Sequence, residues 1–306
     1  MKYFIITVDT EGDNLWAYKE GDPITTNNAE YACRFQDLCN KYVFKPVWLT
    51  NYEMACNDKF MGYVKEKQDN GLCEVGIHVH AWNNPPLHEI PRVYDGNSYL
   101  IEYPKEVMRA KFKTTFDLIA EKTGRKPVSH RAGRFAMNED YYQLLEEFGI
   151  LTDCSITPGI SWENTKGRTR GGVNYKNANK NPSLINGIIL EVPMTIRKLH
   201  YTPYKKSFKS LLKAFLVGRE IWLRPAISTL SEMKYLCSKV NKEDVDYLEF
   251  MVHSSELMAG GSPYFKTEEA IEKEYENIQV LFDYIKKLGY EGVTLSEFRS
   301  KKLVCA

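Results

Sequence analysis

The chain has 306 residues, 43% of them hydrophobic, which is enough for one large domain or two small ones. Its 41 basic and 40 acidic residues nearly cancel, and this argues against a broad positive surface for nucleic acid or anionic membranes. Seven cysteines without a Cys-x-x-Cys pair favour free thiols in a reducing compartment. Since the first residues enter a strand and no apolar run reaches the ~18 residues of a membrane span, we expect a soluble, cytoplasmic protein.

Strand-like and helical stretches alternate along the first half of the chain. Lys2–Val8 is an apolar run, typical of a strand that is buried on both faces. Further strands are predicted at 44–49, 74–79, 127–130 and 151–154, and helices at 27–42, 51–68, 104–122 and 138–148. This alternation indicates repeated strand–helix units.

The second half is less regular. Residues 157–184 are polar and rich in Gly and Asn, so we expect a long substrate-covering loop near 155–186. Strands are predicted at 187–192, 220–223, 247–252 and 291–294, and helices at 207–216, 228–240 and 267–288. The units predict an α/β fold: a distorted (β/α) barrel of about seven parallel strands. We expect a single domain over residues 1–306, with a helical insertion near 200–245.

Two predicted strands end in residues of the kind that bind metal ions. His78 and His80 are spaced i, i+2, so on a strand both imidazoles point to one face. Asp9 and Glu11 end the first strand with the same spacing. Either pair alone is more often a surface or hydrogen-bonded pair, but together they indicate a metal site. Imidazole plus carboxylate suits zinc or another first-row divalent ion.

Two more charged residues occupy the same kind of position. Arg131 and His253 also lie at, or just past, the C-terminal ends of predicted strands. In a parallel barrel these ends meet on one face, where active sites lie. Randomly placed polar residues would scatter over both ends and the helices. The pattern therefore predicts an active site at the C-terminal ends of the strands.

Five motifs follow one another along the chain: TVDTEG from Thr7, EVGIHVHAW from Glu74, HRAGRF from His130, EVP from Glu191 and MVHS from Met251. In this order they resemble the polysaccharide deacetylases, which are the carbohydrate esterase family 4 or NodB-homology enzymes. The resemblance runs from Lys2 to about Phe298. In addition, Gly260–Pro263 resembles the branch of the family found in capsule and lipopolysaccharide gene clusters.

The resemblance implies a metal-dependent hydrolase that removes N-acetyl or O-acetyl groups from a sugar or polysaccharide precursor, in surface polysaccharide biosynthesis. Asp9 matches the family's general base, Arg131 the arginine that pairs with it, and His253 the late general acid. Glu11, His78 and His80 match ligands to one divalent ion, with zinc expected first and Co, Ni or Mn as alternatives. The expected partner is an N-acetylated sugar or glycan precursor.

The sequence departs from the family pattern at both metal-binding motifs. The family's usual histidine pair is spaced i, i+4, but position 82 is Trp, so His80 must supply the second ligand. The common pattern has two adjacent aspartates, whereas here Thr10 intervenes, and Asp13 competes with Glu11 as the acidic ligand.

Three further side chains are candidates for contact with substrate: Trp82, Arg134 and Trp162. Trp82 and Trp162 could stack on sugar rings, with packing inside the protein as the alternative, and Arg134 could meet substrate or a carboxylate. Other functions also stay open at this stage. They are a metal-dependent C–N hydrolase of the cyclic-ureide amidase type, an amidohydrolase or phosphoesterase barrel, and a non-catalytic glycan-binding relative that has lost its metal.

Overall fold

A computed structural model describes residues 1–200 and 218–304 of the chain. Its strands are β1 (Lys2–Thr10), β2 (Pro46–Thr50), β3 (Glu74–Val79), β4 (Ser129–Ala132), β5 (Thr152–Asp153), β6 (Ser183–Ile185), β7 (Ile189–Glu191), β8 (Ile196–Leu199), β9 (Arg219–Trp222), β10 (Tyr247–His253) and β11 (Tyr290–Gly292). Its α-helices are α1 (Ala32–Lys41), α2 (Tyr52–Ala55), α3 (Asp58–Asp69), α4 (Lys105–Thr123), α5 (Glu139–Phe148), α6 (Leu230–Val240), α7 (Glu268–Lys287) and α8 (Leu295–Val304). The helix predicted at 207–216 lies outside the described residues.

The main sheet has the order β10-β1-β2-β3-β4-β5-β7-β6, and β11 also pairs with β1. All pairings are parallel except that between β6 and β7, which is antiparallel. The sheet curls into a half-barrel with helices outside, which confirms the predicted distorted (β/α) barrel. Strands that are covered on both faces must be apolar on both, and this explains the long apolar run at the start of the chain.

The alternation of side chains along β1 determines what lies inside the curled sheet. Phe4, Ile6 and Val8 belong to the outer core, beneath the helices. Ile5 points the other way, into a smaller inner cluster with residues of the neighbouring strands. Thr7 and Asp9 continue this inner row, because side chains two apart share a face. The inner row therefore changes from apolar to polar towards the C-terminal end of the strand.

One predicted strand takes a different place from the one expected for a barrel strand. The 220–223 prediction corresponds to β9, which pairs antiparallel with β8 in a separate two-stranded sheet. This hairpin is attached to the main fold through Leu223, whose N–H donates to Thr195 O at 3.0 Å and whose carbonyl accepts from Met251 N–H at 3.2 Å. The residue that follows β9 is thereby brought beside the end of β10.

Element boundaries shift where side chains cap or interrupt a helix. The helix predicted at 51–68 is divided into α2 and α3, because the Asn57 side chain accepts from the Phe60 N–H at 3.0 Å and starts a new helix. The long loop after β5 carries two isolated antiparallel bridges, Ser161 with Asn174 and Lys166 with Gly171. None of the described helices is both long and apolar enough to cross a bilayer.

Candidate metal and catalytic site

The sheet register brings the predicted site residues to one end of the half-barrel. Asp9 in β1 lies directly beside His253 in β10, and His78 in β3 lies directly beside Arg131 in β4. All four side chains are buried. Polar side chains at neighbouring strand ends thus converge, as parallel pairing requires.

Glu11, His78 and His80 form a compact group of metal-binding side chains. One ligand atom of each lies within 4.8 Å of the other two. His80 Nε2 lies 2.8 Å from His78 Nε2 and 3.1 Å from Glu11 Oε2. The i, i+2 spacing of the two histidines therefore brings both Nε2 atoms together beside the Glu11 side chain.

The histidines are held in a form suited to binding a cation. His78 Nδ1 lies 2.8 Å from the Arg131 carbonyl oxygen, which can only accept, so Nδ1 carries the proton and Nε2 keeps its lone pair towards the group. Burial lowers the pKa of His78 to about 4. Burial, followed by His78 and His253, lowers the pKa of His80 well below its usual value. Both rings are therefore neutral, as metal ligands must be.

The carboxylate of Glu11 provides the test of whether these residues fit a metal ion. Its Oε2 is buried and has no hydrogen-bond partner in the described part of the chain. Burial and the nearby Asp9 raise the pKa of Glu11 well above its usual range. A buried acceptor without a donor, beside the Nε2 lone pair of His78, is costly unless a cation or a proton lies between them. The donor set therefore fits one divalent ion, of a kind that takes nitrogen and oxygen ligands.

Two neighbouring residues limit how this group can be arranged. Asp13, the competing acidic residue, lies outside the group, and its Oδ1 accepts a hydrogen bond from Thr25 Oγ1. Gly133 packs against the second histidine: a Cβ at this position would lie 2.6 Å from His80 Cδ2 and would clash with the Val79 carbonyl oxygen. Only glycine leaves room here for the His80 ring.

Asp9 forms a buried ion pair with Arg131. Arg131 Nη1 donates to Asp9 Oδ1 at 2.5 Å, and Nη2 donates to Glu249 Oε1 at 2.5 Å and to Thr7 Oγ1 at 2.9 Å. Burial alone would raise the pKa of Asp9, but Arg131, followed by His78 and His253, outweighs it and the pKa lies below its usual value. Asp9 is therefore ionised, and its Oδ2 lies on the side of His253.

His253 faces the same space from the opposite strand. Its Nε2 lies 3.9 Å from Asp9 Oδ2 and 3.8 Å from Glu11 Oε1. Its Nδ1 lies 2.9 Å from Arg224 Nη2 and 3.3 Å from Glu256 Oε1. The His253 ring therefore lies between two sets of charged groups: Asp9 and Glu11 on its Nε2 side, and the ion pair of Arg224 and Glu256 on its Nδ1 side.

Sequence reasoning missed several of these contacts. Arg224 and Glu256 were not predicted, nor was Glu249, which shares Arg131 with Asp9. Arg224 follows a predicted strand end, which could have marked it as a candidate, but its approach to His253 depends on the antiparallel hairpin, which the strand prediction did not contain. Glu249 lies in mid-strand, where the sequence carries no sign that distinguishes it from an ordinary buried residue.

The three candidate substrate residues are placed differently. Trp82 packs against His80 with 4.3 Å between ring centroids, and it lines a neighbouring cavity of about 690 Å³. Arg134 donates to the carbonyls of Asn97 and Lys166 and lies over a tyrosine ring, so it ties two loops together. Trp162 stacks on Phe135 at 5.4 Å, within an apolar cluster. Of the three, Trp82 lies nearest to the metal-binding group.

No family model matches the chain, and no curated protein matches it. Among solved structures, a candidate polysaccharide deacetylase from Mycobacterium smegmatis is 14% identical, with a TM-score of 0.53 over 98% of this chain and 90% of that one. A GH57 branching enzyme from Thermococcus kodakaraensis is 13% identical, with a TM-score of 0.56 over 97% and 70%.

A third structure, a 4-alpha-glucanotransferase from Thermococcus litoralis, is 12% identical, with a TM-score of 0.51 over 98% of this chain and 38% of that one. At such identities the likeness concerns the fold alone. The fold is therefore shared with a candidate deacetylase, a branching enzyme and a glucanotransferase. In agreement with its sequence motifs, the chain has the fold of the candidate polysaccharide deacetylase from Mycobacterium smegmatis.

Proposed function

We propose that this protein is a metal-dependent hydrolase that removes an acetyl group from an N-acetylated or O-acetylated sugar or glycan precursor. One observation carries the proposal: a metal-binding group of Glu11, His78 and His80 lies beside an ionised aspartate and a histidine in one buried site. The candidate deacetylase from Mycobacterium smegmatis, which has the same fold, supports it.

Glu11, His78 and His80 would hold the ion, and a bound divalent ion there would polarise the acyl group and lower the pKa of water. Asp9 is the proposed general base. Its Oδ1 is occupied by Arg131, so Oδ2 is the oxygen available to take a proton from water. Arg131 keeps this carboxylate ionised and fixed in orientation, because a guanidinium donates but cannot accept a proton.

His253 is the proposed donor to the leaving atom. Its Nε2 is the ring nitrogen on the side of Asp9 and Glu11, so a proton on Nε2 faces the space between the base and the metal-binding group. A nitrogen leaving group needs such a donor more than an oxygen leaving group does, since an amine anion is a far stronger base. Trp82, adjacent to His80, is the proposed contact for the sugar.

The branching enzyme and the glucanotransferase raise a rival function, cleavage or transfer of a glycosidic bond. Such chemistry uses two carboxyl groups that flank the bond, one of them protonated as general acid. An ionised Asp9 and a Glu11 of raised pKa would also suit such chemistry, but Glu11 Oε2 lies 3.1 Å from His80 Nε2, within a group of three side chains that could hold a metal ion. The donor set is therefore better suited to metal-assisted hydrolysis of an acyl bond. Its proposed setting is cytoplasmic synthesis of a surface polysaccharide, which the motif resemblance supports.

The test joins metal content to acetate release. Purified protein would be analysed for bound divalent metal and assayed with free, nucleotide-linked and lipid-linked acetylated sugars, before and after treatment with chelator. We expect about one ion per chain and acetate release that chelator abolishes and added metal restores. His78→Ala combined with His80→Ala should lose both, while His200→Ala, an exposed histidine away from the site, should lose neither. Protein without metal and without acetate release would favour the glycan-binding alternative.

A further inference from the structure

His253 is held by an arginine from outside the parallel sheet. Arg224 follows β9, the strand of the separate hairpin, and its side chain is buried. Its Nη2 lies 2.9 Å from His253 Nδ1. The hairpin of β8 and β9 thus places the guanidinium of Arg224 against His253, which lies at the end of β10 in the main sheet.

The chemistry of this contact determines which ring nitrogen carries the proton. A guanidinium has five N–H donors and no acceptor, so His253 Nδ1 must accept the hydrogen bond with its lone pair. A neutral imidazole then carries its single proton on Nε2. Nε2 is the atom that faces Asp9 Oδ2 at 3.9 Å and Glu11 Oε1 at 3.8 Å.

Glu256 keeps Arg224 in this position. Arg224 Nη2 donates to Glu256 Oε1 at 2.7 Å, and Glu256 Oε2 accepts from the backbone N–H of His253 at 3.0 Å. One carboxylate therefore anchors both the arginine and the residue whose ring the arginine contacts. Such a buried ion pair is weak evidence for a purely stabilising role, because desolvation offsets most of its attraction. Arg224 Nε, moreover, is buried and has no partner within the described residues.

A tryptophan restricts the His253 ring from another direction. The indole of Trp16 meets the imidazole edge to face, with 5.1 Å between centroids, and Trp16 Nε1 donates to Ser255 Oγ at 3.0 Å. The ring is therefore fixed both by packing and by the hydrogen bond to Nδ1.

We infer that Arg224 is a positioning residue that holds His253 as the tautomer with its proton on Nε2, and that Glu256 anchors Arg224 for this purpose. In this state His253 offers a hydrogen bond to the leaving atom but no second proton. Full transfer of the Nε2 proton would leave an imidazolate unless Nδ1 first took a proton from solvent, and the resulting Nδ1–H could then donate to Glu256 Oε1, 3.3 Å away. The catalytic consequence rests on the proposed function, whereas the tautomer does not.

The tautomer can be measured directly. The purified protein, labelled with ¹⁵N-histidine and measured with and without added zinc, contains six histidines, and the His253 signals would be identified by their loss in His253→Gln. We expect Nε2 to show an attached proton and Nδ1 to show the shift of an unprotonated ring nitrogen. Arg224→Met should move the proton towards Nδ1, with Glu256 as acceptor, and Arg224→Lys should leave it on Nε2, because an ammonium also only donates.

A second arginine of the same hairpin provides the control. Arg219 Nη2 instead lies 2.7 Å from Glu232 Oε1 in α6, so Arg219→Met should leave the His253 signals unchanged. A proton on Nδ1 in the wild-type protein would overturn the inference, as would an unchanged tautomer in folded Arg224→Met. If Arg224→Met does not fold, Arg224→Ala replaces it: removing the donor should again move the proton towards Nδ1, and an unchanged tautomer in the folded variant contradicts the inference.

The kinetic consequence separates positioning from a merely structural role. On a substrate that the wild type deacetylates, Arg224→Met should lower kcat by roughly tenfold or more through misplacement of the ring, with KM and bound metal unchanged. Arg224→Lys should restore part of the loss. A rise in KM alone would contradict the assignment. Should no acetylated sugar be a substrate, the proposed function fails, and the tautomer measurement still decides the role of Arg224.

Discussion

Replacing Arg131 with methionine should be among the most destabilising substitutions in this protein. The side chain is fully buried and is paired with two buried carboxylates, Asp9 and Glu249, each 2.5 Å from a guanidinium nitrogen. Removing one member of a buried pair typically costs about 3–5 kcal/mol, because the remaining charge is left without compensation. Two carboxylates are left here, so we expect a loss of at least about 3 kcal/mol in the free energy of unfolding at pH 7.

The pH dependence of this loss has a defined sign. Without the guanidinium, burial favours the protonated form of both carboxyl groups in the folded state, so their pKa values lie above those in the unfolded chain. Such a group destabilises the folded state as pH rises through its pKa. The deficit of Arg131→Met should therefore be largest at pH 7 and shrink as pH falls towards 4. Adding Glu249→Gln to this variant should recover part of the stability at pH 7.

The assay is urea unfolding followed by circular dichroism at pH 4.5 and pH 7, with Arg109→Met as control. Arg109 pairs with Glu147 at the surface, where both side chains are about half exposed, so its loss should cost at most about 1 kcal/mol. A loss below about 1 kcal/mol for Arg131→Met, or a loss independent of pH, would refute the view that Arg131 compensates two buried charges.

Three further predictions concern the metal-binding group and a helix on the outer face. Glu11→Ala should weaken metal affinity at least about tenfold in a metal titration, and Asp13→Ala should weaken it less, because only Glu11 lies among the ligands. Gly133→Ala should also weaken metal affinity, since an added Cβ would displace the His80 ring. Burial raises the pKa of Glu274 to about 7, so its carboxylate destabilises the fold as pH rises from about 4.5 through 7. Glu274→Gln should therefore raise stability at pH 8 relative to pH 5 in thermal unfolding.

Each of these predictions has its own contradicting result. The acidic ligand would be misplaced if Asp13→Ala lost more affinity than Glu11→Ala. For the glycine, Gly62→Ala in α3 is the control, because an added Cβ there meets nothing within 4 Å, and it should leave metal binding unchanged. Equal metal affinity in both glycine variants would show that the His80 ring tolerates the added atom. An equal effect of Glu274→Gln at both pH values would show that Glu274 is ionised throughout.

The sequence predicted the parts of the site that follow from strand periodicity. The i, i+2 spacing of His78 and His80 put both rings on one face, and the parallel arrangement put Asp9 and His253 at one end of the sheet. Both inferences need only local geometry and the direction of strand pairing.

Other contacts depend on packing that no local pattern encodes. Whether β9 joins the main sheet or forms a hairpin depends on how the segment after β8 folds back, so the approach of Arg224 to His253 could not be predicted. Glu249 looks like any residue of a buried strand until Arg131 is placed opposite it. Trp162 and Phe135 are far apart in sequence, and their stacking depends on how the long loop folds.

We propose that one site binds a metal ion and that Asp9 activates water there for deacetylation. The most direct measurement compares metal content and acetate release in wild type and Asp9→Asn, on a substrate that the wild type deacetylates. Asp9→Asn keeps the shape of the side chain, so it should retain the metal and lower turnover by roughly 10²–10⁴-fold, the usual contribution of a general base. Wild-type turnover in Asp9→Asn, at unchanged metal content, would show that Asp9 is not the general base.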